Sequence, residues 1–214
     1  MNIQDFRQLP ILGILRGITE VDIEPLTESV IRSGLKTIEI AMNTPKATDL
    51  IAKMVQLAQG RLTVGAGTVL TTDQLQSAVD AGATFIVSPT VVDDVVGHCA
   101  KNNIAVFPGA LTPTEIYRAW ESGATMVKVF PAKLFGPDYF KEIKGPFDKI
   151  ELLACGGVNP QNIESFFTAG ASGVAFGASI FRREWIEEKK FSLIEDNIKS
   201  LIGSYHNSVE NVAE

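Results

Sequence analysis

The sequence predicts an α/β protein, a single-domain (β/α)8 (TIM) barrel. Three observations point there. Eight short apolar, β-branched runs recur along the chain, with starts about 20 to 27 residues apart. Helical patterns lie between them. No linker or shift of composition interrupts the chain, so residues 1–214 read as one domain with a polar tail from about residue 206. Spread over eight units, 214 residues leave about 27 per unit, near the lower end for such barrels.

The runs in order are PILGILRG (10–17), LKTIEIAMNT (35–44), RLTVGAGT (61–68), ATFIVSPT (83–90), IAVFPGAL (104–111), ATMVKVFPA (124–132), IELLACGG (150–157) and GVAFGAS (173–179). Most end in Gly, Pro or a small polar residue, as strands feeding turns do. After the first run, Ile23, Leu26, Val30 and Ile31 share one helical face, and Gly34 stops the helix. TDQLQSAVDAGA opens on a Thr/Asp cap. Thr112 and Glu115 form a capping box with Pro113 at the first helical position, and Asn159 followed by Pro160 reads as another cap. Three helices close on Gly82, Gly123 and Gly170, each followed by Ala, where a left-handed turn leads into the next strand. A last helix is expected over 191–205. A doubly wound open sheet is the structural alternative, but GAGTVL carries only the first two glycines of a GxGxxG fingerprint.

Composition excludes several classes. A hydrophobic fraction of 45% and a charged fraction of 21% rule out a disordered or collagen-like chain. The net charge of -6 and the lack of a dense Lys/Arg run argue against nucleic-acid binding. No apolar stretch approaches the roughly 18 residues of a membrane span, and the first residues lack the pattern of a signal peptide. Cys99 and Cys155 offer no disulfide framework, so a cytoplasmic location is expected. The two histidines, His98 and His206, form no ligand-spaced cluster, so no metal site is expected.

In a barrel of this kind the site lies at the C-terminal ends of the strands. Lys128 is flanked by Val127 and Val129, so strand alternation turns it inward if the valines meet the helices. Glu39, between Ile38 and Ile40, turns inward by the same logic. A fully buried Lys is rare unless paired or functional. The two residues are either a buried structural ion pair or a reactive amine beside a carboxylate. Arg16 ends the first strand, as a surface side chain or as a guanidinium fork for a carboxylate. Thr68 ends the third, as a helix cap or a substrate contact. Gly156-Gly157 follow the seventh run and Gly177-Ala178-Ser179 the eighth, where backbone N–H groups form the common phosphate cradle of these barrels. The Ser179 hydroxyl is expected to add a donor.

ILRGIT, EIAMNTP, VGAGTVL, FIVSP, FPGALTPTE, VKVFPAKLFGPDYFKEIKGPF and GGVNPQNI together resemble the KDPG/KHG aldolase family, in register from about Leu9 to about Phe181. The family takes in 2-keto-3-deoxy-6-phosphogluconate (KDPG), 2-keto-3-deoxy-6-phosphogalactonate and 4-hydroxy-2-oxoglutarate (KHG) aldolases. The resemblance implies a class I, Schiff-base aldolase that needs no cofactor and no metal. It implies a homotrimer acting on a phosphorylated keto-acid to give pyruvate and D-glyceraldehyde 3-phosphate. By position it makes Lys128 the imine-forming lysine, while Lys133, five residues later, falls outside that motif. It makes Glu39 the general acid/base and Arg16 the ligand of the pyruvate-end carboxylate. Thr68 matches the Thr of the family's G-A-G-T motif; Pro89 and Phe130 would line the pyruvyl pocket. Gly156, Gly157, Gly177 and Ser179 match the phosphate-binding turns. Cys155 stands where gluconate-type members carry Thr and galactonate-type members Val, and Asn43 where some gluconate-type members carry Arg. The competing readings are cleavage of 4-hydroxy-2-oxoglutarate, a phosphate-binding barrel isomerase or synthase, and a non-catalytic ligand-binding barrel.

Overall fold

A computed structural model describes residues 1–210. In it the eight apolar runs form one parallel sheet that curls into a nearly closed barrel. Its strands are β1 (Ile11–Leu15), β2 (Thr37–Ala41), β3 (Thr63–Gly67), β4 (Phe85–Val87), β5 (Ala105–Phe107), β6 (Gly109–Ala110), β7 (Val127–Val129), β8 (Leu152–Cys155) and β9 (Gly173–Phe176). They are hydrogen-bonded in the order β5-β4-β3-β2-β1-β9-β8-β7-β6. The count of nine departs from the expected eight because the fifth run is split at Pro108, which has no N–H to give to a ladder. Its first half pairs with β4 and its second with β7, so this single run closes the ring.

The helices are α1 (Ile3–Gln8), α2 (Glu20–Ser33), α3 (Ala47–Ala58), α4 (Thr72–Asp80), α5 (Asp93–Lys101), α6 (Pro113–Glu121), α7 (Gly136–Lys144), α8 (Ile163–Thr168), α9 (Arg183–Glu187) and α10 (Phe191–Glu210). Strand alternation separates two cores. Ile38, Ile40, Val127 and Val129 pack outward beneath the helices, while Leu12, Phe85, Phe107, Met126 and Leu153 fill the barrel. Phe6 of α1 joins this inner cluster and meets Phe107 edge-to-face, with ring centroids 5.7 Å apart. The N-terminal helix thus helps to fill the barrel; it carries too short a pattern to be read from sequence.

The predicted caps fare unevenly. The Thr112–Glu115 box is formed, with Glu115 Oε2 accepting from the N–H groups of Leu111 and Thr112 at 3.0 and 2.9 Å. Gly34, Gly82, Gly123 and Gly170 all have positive φ after their helices. The cap expected at Asn159 is displaced: α8 begins after Asn162, whose side chain accepts from the Asn159 N–H at 2.9 Å. Asn159 instead turns on itself, its own Oδ1 accepting from Gln161 N–H. The last helix continues past Tyr205 through Glu210, so the polar segment from residue 206 begins inside α10; residues 211–214 lie outside the described residues.

Candidate active site

The inward-facing positions place the chemistry. Lys128 sits in the middle of β7, in register with Gly109 of β6 and Leu153 of β8. It is 6% exposed. Glu39 sits in the middle of β2, in register with Ile14 and Gly65, and is 1% exposed. Space for it is made by a missing side chain: a Cβ on Gly67 would lie 2.2 Å from Glu39 Oε1. One turn of the pleat away, Gly65 makes room for the Phe85 ring in the same manner, its Cβ position lying 2.4 Å from that ring. The two glycines of VGAG therefore hollow out the inner face of β3.

Glu39 Oε2 is buried and has no hydrogen-bond partner. Burial lifts the Glu39 pKa from 4.5 to about 7, against the pull of Lys128 and Arg16. Burial thus makes this carboxyl group far easier to protonate than an exposed glutamate. Among the described residues, no ion pair at contact distance joins Glu39 to Lys128. A closed structural pair is therefore not what the barrel holds. Both groups also act on the buried Cys155 thiol: burial pushes its pKa up, Lys128 pulls it down and Glu39 pushes it up again.

Above these groups opens a cavity of about 680 Å3. It collects every residue predicted for the site except Glu39, which lies beneath its lining: Arg16, Thr68, Pro89, Lys128, Phe130, Cys155, Gly156, Gly157, Gly177 and Ser179. Arg16 donates from Nη2 to Thr68 Oγ1 at 3.1 Å, so the first and third strand ends are joined across the mouth. Thr68 holds a φ of 57°, an unfavourable conformation for a β-branched residue and one that clusters at functional sites. Phe130 presents its ring to the Lys128 amine, Nζ lying 5.3 Å from the centroid, and its peptide bond to Pro131 is cis.

At the far side, the N–H groups of Gly157, Gly177, Ala178 and Ser179 donate to no acceptor among the described residues. One expectation is corrected here. The Ser179 hydroxyl donates to the Val158 carbonyl at 2.7 Å, so it ties the two glycine turns together rather than offering its proton to a ligand. The lining also includes Ile14, Asn43, Pro131, Lys133 and Ala178; sequence reasoning named Ala178 in its turn, named Asn43 and Lys133 without giving them a site role, and missed Ile14 and Pro131. Two of them carried a chemical signal near a strand end: Asn43, a polar amide two residues after β2, and Lys133, a charge four residues after β7.

Among the described residues no group of three or more His, Cys, Asp or Glu is placed to hold a metal ion, and no helix is long and apolar enough to cross a membrane.

The fold and site define a class: a (β/α)8 barrel with a buried amine and a buried carboxyl group of raised pKa beneath a cationic mouth. Within that class the chain belongs to the KDPG and KHG aldolase family, whose model matches residues 3–197. It is 35% identical over 177 residues to the 2-dehydro-3-deoxy-6-phosphogalactonate aldolase of Escherichia coli strain K12, covering 82% of this chain and 86% of that protein. The solved structure of native KDPGal superposes with a TM-score of 0.88 at 30% identity, covering 95% of this chain and 97% of the other. KDPG aldolase from Legionella pneumophila, captured with pyruvate as a covalent carbinolamine intermediate, superposes with a TM-score of 0.83 at 27% identity, covering 90% and 93%.

Proposed function

We propose that this protein is a class I aldolase. It reversibly cleaves a 2-keto-3-deoxy-6-phospho-aldonate, of gluconate or galactonate type, to pyruvate and D-glyceraldehyde 3-phosphate. The observation that carries this reading is the buried Lys128 amine with the unpartnered, buried Glu39 carboxyl at the floor of a cavity that has a cation at its mouth. Such a floor suits imine chemistry. The neutral Lys128 amine adds to the C2 ketone, and loss of water gives an iminium. The electrons of the C3–C4 bond flow into that iminium to form an enamine, while the C4 hydroxyl proton passes to Glu39, through water. The aldehyde leaves, Glu39 returns the proton to C3, and water releases pyruvate and the free amine. One carboxyl group serves both transfers because they are sequential, and a pKa of about 7 fits it to both.

Arg16, oriented by Thr68, pairs with the C1 carboxylate, and Pro89 and Phe130 wall the pyruvyl end. The free N–H groups after β8 and β9 hold the phosphate, so binding energy remote from the reacting bond aligns it. Cys155, beside Lys128, borders the C4 region. The reaction needs no metal or cofactor, and the enzyme acts in the cytoplasm as a homotrimer. Exposed apolar side chains such as Leu134 and Phe135 supply surface for subunit contacts. Turnover of the gluconate-type, galactonate-type and 4-hydroxy-2-oxoglutarate substrates, measured side by side with and without chelator, tests the reading. A phosphorylated substrate is preferred and chelation has no effect; preference for 4-hydroxy-2-oxoglutarate refutes the substrate assignment, and loss of activity with chelator refutes the metal-free chemistry.

A further inference from the structure

The cavity has two cationic ends, and the second is not explained by the motifs that identify the family. Arg16 marks the first, turned toward the third strand by its bond to Thr68. Lys133 marks the second. It follows β7 on a short 3-10 turn (Ala132–Leu134) and lines the same cavity as Gly156 and Gly157. Its stem lies directly on the Gly157 backbone: a Cβ added to Gly157 would stand 2.8 Å from Lys133 Cβ. The ammonium forms no hydrogen bond or ion pair among the described residues, and Lys133, unlike the other partnerless lysines outside the barrel, lines the cavity. No Asp or Glu lines the cavity to compete for it. An unpaired lysine thus stands with its stem against the turn at Gly157, whose N–H group, with those of the turn after β9, also lacks an acceptor.

We infer that Lys133 is a specificity-determining residue that binds the substrate's distal phosphate monoester. The backbone N–H groups fix the position of the phosphate oxygens, and the ammonium on its flexible stem meets the dianion as a point charge. This inference rests on the aldolase reading above. Backbone donors alone accept any acceptor group of suitable shape, whereas a mobile cation rewards charge. Lys133 therefore sets how strongly the enzyme prefers a phosphorylated keto-acid over the same keto-acid without phosphate.

The test compares Lys133→Met, Lys133→Arg and Lys133→Glu with the unmodified enzyme on a phosphorylated 2-keto-3-deoxy-aldonate and its phosphate-free counterpart. A charge-assisted hydrogen bond to an exposed partner corresponds to about a tenfold change. Lys133→Met is expected to lower the ratio of kcat/KM for the phosphorylated over the phosphate-free substrate about tenfold, through KM. Lys133→Glu lowers it further, and Lys133→Arg retains most of it. Competitive inhibition by inorganic phosphate weakens in parallel and becomes less sensitive to salt. Reductive trapping of pyruvate on Lys128, a step without phosphate, reports whether each variant is folded. An unchanged ratio in a Lys133→Met enzyme that still traps pyruvate overturns the inference and leaves the aldolase reading intact. Failure of the unmodified enzyme to trap pyruvate overturns the aldolase reading, and the inference with it.

Discussion

Replacing Gly67 with Ala should disable proton transfer while sparing imine formation. The added Cβ would stand 2.2 Å from Glu39 Oε1 and 2.6 Å from its carboxyl carbon. Real Cβ contacts essentially never fall below 3.0 Å, so the carboxyl group must retreat by at least the difference, 0.8 Å. It is 1% exposed and walled by the inner core, so the retreat also strains its neighbours. Misplacing a catalytic group by about 1 Å costs on the order of a hundredfold in rate. Overpacking adds about 1–3 kcal/mol of lost stability. Cleavage by Gly67→Ala should therefore fall about a hundredfold in kcat, while borohydride trapping of pyruvate on Lys128 persists. Pairing the change with Glu39→Asp, whose carboxylate is drawn back by one methylene, sharpens the test. In that background the added methyl meets no carboxyl oxygen, so the two rate losses should be far from additive. Normal turnover by Gly67→Ala, or simple additivity, would refute the geometry assigned to Glu39.

Glu39 is lifted from 4.5 to about 7 in the folded protein, so between those pH values the fold holds a proton that the unfolded chain has released. Stability therefore falls as pH rises through that window, by up to about 3 kcal/mol; urea unfolding at pH 5 and pH 8 should show Glu39→Gln gaining on the unmodified protein as pH rises, and the opposite trend would be inconsistent with a raised pKa. Thr112→Ala removes the side-chain acceptor of the α6 capping box and should cost about 1 kcal/mol in the same measurement, with turnover little changed.

What could be read from the sequence was whatever local periodicity or local chemistry encodes. The flanking valines and isoleucines oriented Lys128 and Glu39, because alternation along a strand is a property of the strand alone. Glycines at helix ends were equally legible, since each needs only its own φ. The split of the fifth run at Pro108 was missed, because it concerns hydrogen bonds to two different neighbours. Helix α3 escaped notice: it starts behind Lys46 at φ 57°, without a Ser, Thr, Asp or Asn cap to announce it. Gly67 stands in the third run without any local sign of its purpose, and only the packing of β2 against β3 shows that its missing side chain houses a carboxyl group. The Ser179 hydroxyl looked free because its acceptor, the Val158 carbonyl, lies on another loop. Lys133 falls outside the imine motif, and its charge gains a role only from the fold, which lays its stem on Gly157 at the edge of the cavity.

The central claim is that Lys128, and no other amine, forms the covalent bond to the keto-acid. Borohydride reduction in the presence of pyruvate, followed by peptide mass mapping, tests it directly. The account predicts one N-carboxyethyl adduct, on the peptide that carries Lys128 and at that residue. It should be absent in Lys128→Ala and still formed in Glu39→Gln. No adduct, or an adduct on Lys133 instead, would contradict it.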